Sequence, residues 1–237
     1  IIAVEHFVVN RSYGCMIDRG SAVTIVSPSS HIDVGIGNWA FYLAAIGGFN
    51  YISREVGDRA DIQSFYQNDD PETVPGLSEY LCDLQEFLSR DGAWSFTVLV
   101  SSGALEPEYP THVHFCIGGK KGDASTGGPG LFVKDSKRYE ALYNAVAESV
   151  HTRFGLEPDH QVCYDTSGNR IYLRRNRMPN ENNVIVRIEW AKILWSLDRI
   201  LIAKAFAEEI WRAILGKEMP APPPELKKKQ IGFEGYL

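Results

Sequence analysis

Pro110-Thr-His-Val-His-Phe-Cys-Ile-Gly-Gly119 is the stretch on which the fold turns. Its β-branched and aromatic residues suit a strand, yet it holds His112 and His114, two of the six histidines in the chain. Side chains on a strand alternate between faces. Both imidazoles therefore share one face, and Val113, Phe115 and Ile117 share the other. Two neutral imidazoles on a rigid strand can act as neighbouring ligands for a divalent cation. The plain alternative is a solvent-facing strand carrying two incidental histidines.

The surrounding sequence supplies the partners of this strand. Trp94-Ser-Phe-Thr-Val-Leu-Val100 alternates as a strand, and a loop with Glu106 and Glu108 joins it to the histidines. Two strands connected so closely predict an antiparallel pair. Glu106 or Glu108 would add a hard oxygen to the two nitrogens and leave positions open on Mg²⁺ or Mn²⁺. Cys116 lies on the histidine face, so a zinc site of two histidines and a thiolate is a further possibility, against the commoner role of a buried core cysteine.

Further out, residues 4–10 and 22–27 read as short strands. Residues 38–56 form an apolar and aromatic run that predicts a buried helix interrupted at Gly47-Gly48. Residues 57–75 read as a polar loop. Leu77, Leu81, Leu84 and Leu88 recur at helical spacing up to Asp91-Gly92. Residues 118–130 are a glycine-rich loop with Lys120 and Lys121, and residues 135–154 are a helix closed by Gly155. Residues 162–175 are ambiguous between hairpin and helix entry, Val184 to Ile188 is a strand, and residues 191–215 are a long amphipathic helix. This order predicts an α/β fold with a central, mainly antiparallel sheet flanked by helices.

Composition narrows the class. The chain of 237 residues has ample apolar material for a core and no uncharged apolar run long enough to cross a membrane. Its start, Ile1-Ile-Ala-Val-Glu-His6, is neither a signal peptide nor an initiator methionine. Four cysteines without a Cys-x-x-Cys pair argue against a disulfide framework and a zinc knuckle. A net charge of −6 weighs against a broadly basic, nucleic-acid-coating surface but leaves room for a local basic groove. Cys15, His31 and Asp33 carry the residue types of a cysteine-hydrolase triad but are clustered in sequence without a supporting turn motif.

The strand His112-Val-His114 followed by Gly118-Gly119-Lys120 resembles the metal-binding strand of HUH endonucleases, in the version found in parvoviral replication initiators. Tyr172-Leu-Arg-Arg-Asn176, followed by Val184 to Trp190, resembles that family's nucleophile motif, with Asn176 where the family usually has lysine and Arg175 and Arg177 close by. The match runs through residues 94–190. It implies an HUH nuclease fold over residues 1–217 and a Pro-rich linker with a basic tail over residues 218–237, leading to a helicase domain through which the whole protein oligomerises. It also implies metal-dependent nicking of viral origin DNA, single- and double-stranded, in the host cell nucleus, with Lys227-Lys-Lys229 assisting import. Tyr172, or Tyr164 as second choice, would become linked to the 5′ end of the nick. Lys120, Lys121, Arg170, Arg174, Arg175 and Arg177 would hold phosphates. Two readings compete. One is a mononuclear metal hydrolase or oxygenase using His112, His114 and a carboxylate. The other is a non-enzymatic interaction or immunity-type α/β protein.

Overall fold

A computed structural model describes residues 8–30, 35–56, 75–100, 111–116, 133–161 and 182–221. Eight strands form one sheet: β1 (Val9–Arg11), β2 (Gly14–Ile17), β3 (Val23–Ser27), β4 (Asn50–Arg54), β5 (Trp94–Val100), β6 (Val113–Cys116), β7 (Pro158–Gln161) and β8 (Asn183–Ile188). Their spatial order is β1-β2-β4-β3-β5-β8-β6-β7. Among the described residues four α-helices accompany them: α1 (Ile36–Gly47), α2 (Leu77–Leu88), α3 (Ser136–Phe154) and α4 (Arg199–Ala213). The α/β class and the helix-flanked sheet hold. The antiparallel expectation is corrected: β4-β3-β5-β8 run parallel, as do β6 and β7, while β1-β2, β2-β4 and β6-β8 are antiparallel.

That correction has a specific physical content. β5 and β6 do not pair with each other. Both pair with β8, β5 in parallel and β6 antiparallel. A short connection favours a hairpin, but Val184 to Ile188 is apolar enough to be buried on both faces, and it inserts between them. Central strands read as continuous hydrophobic runs for this reason.

The sheet has two unlike faces. Val23, Ile25, Phe96, Val98, Val113, Phe115, Val184, Val186 and Ile188 join α1, α3 and α4 in one large core. Phe206 of α4 meets Trp39 edge-on and stacks on Phe115, and the Trp39 and Trp211 indoles donate to the carbonyls of Arg199 and Gly47. On the opposite face α2 covers Met16, Val26 and Ile52 with Leu77, Tyr80, Leu84, Phe87 and Leu88.

Local signals set several boundaries. Asp135 caps α3 by accepting from the Arg138 amide at 3.1 Å, and Gly155 ends it at φ 65°. Gly48 at φ 65° ends α1, so Gly47-Gly48 terminates a helix where a mere interruption was expected. The chain then enters β4 through Asn50, whose side chain bonds the Arg19 and Ser21 amides and the Ser21 carbonyl. The long helix expected over residues 191–215 is broken too: a π-helical turn spans Trp190–Leu194, and α4 starts at Arg199. Among the described residues no helix is long and apolar enough to cross a membrane.

Candidate functional site

From β3 the chain passes to β4 on one side of the sheet, and from β5 it passes to β6 on the other side, beyond β8. In open α/β sheets such a reversal leaves a crevice at the carboxyl ends of the strands, where ligands bind. β8 runs parallel to β5 and ends at this edge, and β6, being antiparallel, brings its amino end there.

Glu189 follows β8 directly and is 7% exposed. Its amide donates to the His112 carbonyl at 2.8 Å, which locks it opposite His112. Its carboxylate accepts from the Lys192 amide within the π-helical turn. Turns of this kind are rare and recur at functional sites. One step back along the strands, Arg187 of β8, His114 of β6 and Asp159 of β7 stand in register on the same face, with His114 Nδ1 4.0 Å from Asp159. A row of ionisable side chains thus lies beside a buried carboxylate at the crevice edge.

The two histidines differ in their fixings. His112 donates its backbone amide to the Glu157 carbonyl at 2.7 Å, and its Nδ1 accepts the Glu157 amide at 2.8 Å. Burial pushes its pKa down and Lys192 adds to that, against the opposing pull of Glu189 and Glu157. His114 is also pushed down, chiefly by burial and further by Arg187, with Asp159 opposing. Both imidazoles are held toward the neutral form.

A second polar group sits at the ends of β3 and β4. Ser30 Oγ lies 2.7 Å from Ser27 Oγ and 2.7 Å from Ser53 Oγ. Gly37 of α1 approaches so closely that a Cβ there would lie 2.7 Å from Ser30 Oγ. Cys15 is no nucleophile: its thiol donates to Glu55, and burial together with that carboxylate pushes its pKa up to about 12.

Of the residues singled out from sequence, His112 and His114 are described and share a face, as expected. Glu106, Glu108, Lys120, Lys121, Tyr164, Arg170, Tyr172, Arg174, Arg175, Asn176, Arg177, His31 and Asp33 lie outside the described residues. Glu189, Arg187 and Asp159 were missed. A signal existed for two of them, because Arg187-Ile-Glu189 repeats the charged-apolar-charged alternation of His112-Val-His114.

No family model matches the sequence, and no curated protein matches it. Among solved structures the chain is similar to the product-bound and apo forms of cell shape determinant protein Csd4 from Helicobacter pylori. The TM-scores are 0.52 and 0.51 at 11% and 10% identity, over 89% of this chain and 55% of Csd4. The chain thus spans about half the length of that protein. A succinylglutamate desuccinylase from Chromobacterium violaceum aligns over 94% of this chain and 77% of its own, at 9% identity and a TM-score of 0.45. The fold is that of the Csd4 structures. The HUH expectation is corrected on this likeness and on the insertion of β8 between β5 and the histidine strand. The endonuclease activity, the phosphotyrosine link, the origin-DNA partner and the parvoviral assignment fall with it.

Proposed function

We propose that this chain is a metal-dependent hydrolase working at the carboxyl ends of β3, β5 and β8, with Glu189 as general base. The observation that carries the reading is a buried glutamate directly after a parallel strand, at the carboxyl end of β8, whose amide donates to the His112 carbonyl and whose carboxylate accepts from the Lys192 amide. A carboxylate so placed can take a proton from water as the water attacks a carbonyl carbon, and return it to the leaving group.

A divalent cation belongs to this reading as the group that would polarise the carbonyl. Among the described residues no three His, Cys, Asp or Glu side chains form a group that could hold one. His112 has already given Nδ1 to the Glu157 amide. The pair His112 and His114 does not by itself make the cation site read from the sequence.

The test is amine release from a panel of N-acyl amino acids and short peptides, read with fluorescamine. Wild type should turn over at least one of them, and Glu189→Gln should lose about 10²–10⁴-fold in kcat. Chelation should abolish turnover, with Zn²⁺, Mn²⁺ and Mg²⁺ returned separately to find the metal. Full activity in Glu189→Gln would refute the assignment.

A further inference from the structure

We infer that His112 is a neutral hydrogen-bond donor, offering Nε2–H to the reacting oxygen beside Glu189, and is not a metal ligand. The donor role rests on the hydrolase reading above; the exclusion as a ligand rests on geometry alone. A backbone amide can only donate, so the nitrogen that meets the Glu157 N–H at 2.8 Å carries a lone pair and no proton. A neutral imidazole with a bare Nδ1 carries its proton on Nε2. Neither nitrogen then has a lone pair left for a cation. A histidine that ligates through Nε2 shows the reverse, with Nδ1–H donating to a carbonyl or carboxylate.

The tautomer is built in from both sides. The His112 amide donates to the Glu157 carbonyl, the Glu157 amide returns to His112 Nδ1, and the Glu189 amide holds the His112 carbonyl. Nδ1 faces Glu157, the residue before β7, which leaves Nε2–H as the remaining donor of a ring that Glu189 lies near enough to influence by its charge. Protonation of the ring would put two N–H groups head to head, and partial burial and then Lys192 further disfavour the cation, against the opposing pull of Glu189 and Glu157.

The chemistry balances without a proton leaving His112. Water attacks the carbonyl carbon while Glu189 takes its proton, and the C=O π pair moves onto oxygen. Nε2–H stabilises that oxyanion by a hydrogen bond. The pair then reforms C=O, the bond to the leaving group breaks, and the proton on Glu189 goes to the departing atom. A donor placed where charge develops contributes to kcat more than to KM.

Two measurements test this. In ¹⁵N-histidine NMR of the full chain at neutral pH, His112 should show an unprotonated Nδ1 and a protonated Nε2, unchanged on adding Zn²⁺ or Mn²⁺. An Nδ1–H tautomer, or loss of the Nε2 proton with metal, would overturn the inference even if no substrate is found. In the amine-release assay His112→Ala should lose about 10²-fold in kcat with KM little changed, and His112→Gln should recover part of that through its amide N–H. Undiminished kcat in His112→Ala, alongside an inactive Glu189→Gln, would sink the donor role and leave the hydrolase reading standing. An active Glu189→Gln would sink the hydrolase reading first.

Discussion

One face of the sheet carries two opposite designs. Under α2, the side chains of β2, β4 and β3 are Met16, Ile52 and Val26, sealed by Leu84 and Phe87. Across β5 in the same face, β8, β6 and β7 present Arg187, His114 and Asp159, which take no part in that apolar cluster. The other face carries the large apolar core under α1, α3 and α4. Stability is thus concentrated on one whole face and half of the other. The remaining quarter is where ionisable groups are tolerated beside a buried carboxylate, at the crevice edge.

The sharpest way to break this division is to damage the sealed half. Ile52 is fully buried, and Ile52→Ala should cost about 2–5 kcal/mol in urea unfolding. Hydrolysis per folded molecule should not change. A loss of turnover beyond the unfolded fraction would mean that the two halves are coupled. A milder blow falls on the rim of the same half, where Asp83 of α2 accepts from the Tyr13 hydroxyl at 2.7 Å and from Arg11 Nη2 at 3.0 Å. Burial and this carboxylate push the Tyr13 pKa far up, so the hydroxyl stays a donor. Asp83→Asn should cost about 1–3 kcal/mol, because it removes the closer of the two carboxylates paired with Arg11 at the β1-β2 hairpin and leaves only Glu79 at 3.5 Å. Tyr13→Phe should cost less, since the ring still packs edge-on against Tyr80.

The sealed half was the legible half. Leu77, Leu81, Leu84 and Leu88 mark α2 by spacing alone, and the strand expected at Trp94–Val100 has those bounds in the structure. What escaped was non-local. β4, Asn50-Tyr-Ile-Ser-Arg54, is buried at every position and shows no alternation, so it merged with the apolar helix before it. The insertion of β8 between β5 and β6 depends on pairing across about seventy to ninety residues of sequence, which no local period encodes. The site inherited that error. His112 and His114 were visible as alternating histidines, but their neighbours were sought in the adjacent loop at Glu106 and Glu108. Glu189 and Asp159 come to them only through strands whose partners the sequence does not name. The Glu157 amide that fixes His112 is a backbone group and has no side-chain signature at all.

The smallest expected effect is the one that separates the halves by their response to acid. His112 and His114 both have folded pKa values below the unperturbed 6.5, mainly through burial. The unfolded chain therefore binds protons first as the pH drops, and unfolding free energy rises with pH wherever it holds the excess. Their contribution is fully present above 6.5 and is lost as the pH falls below that value through each lowered pKa. Urea midpoints measured from pH 7.5 down to 5 should fall. His114→Asn should shallow the fall by removing one of the two groups. Ile52→Ala should lower the whole curve without changing its slope, because no ionisable group touches the apolar cluster through that methyl-bearing side chain. If His114→Asn leaves the slope as steep as wild type, the acid sensitivity resides in groups other than the charged row. The division of the face into a packing half and a titrating half then fails.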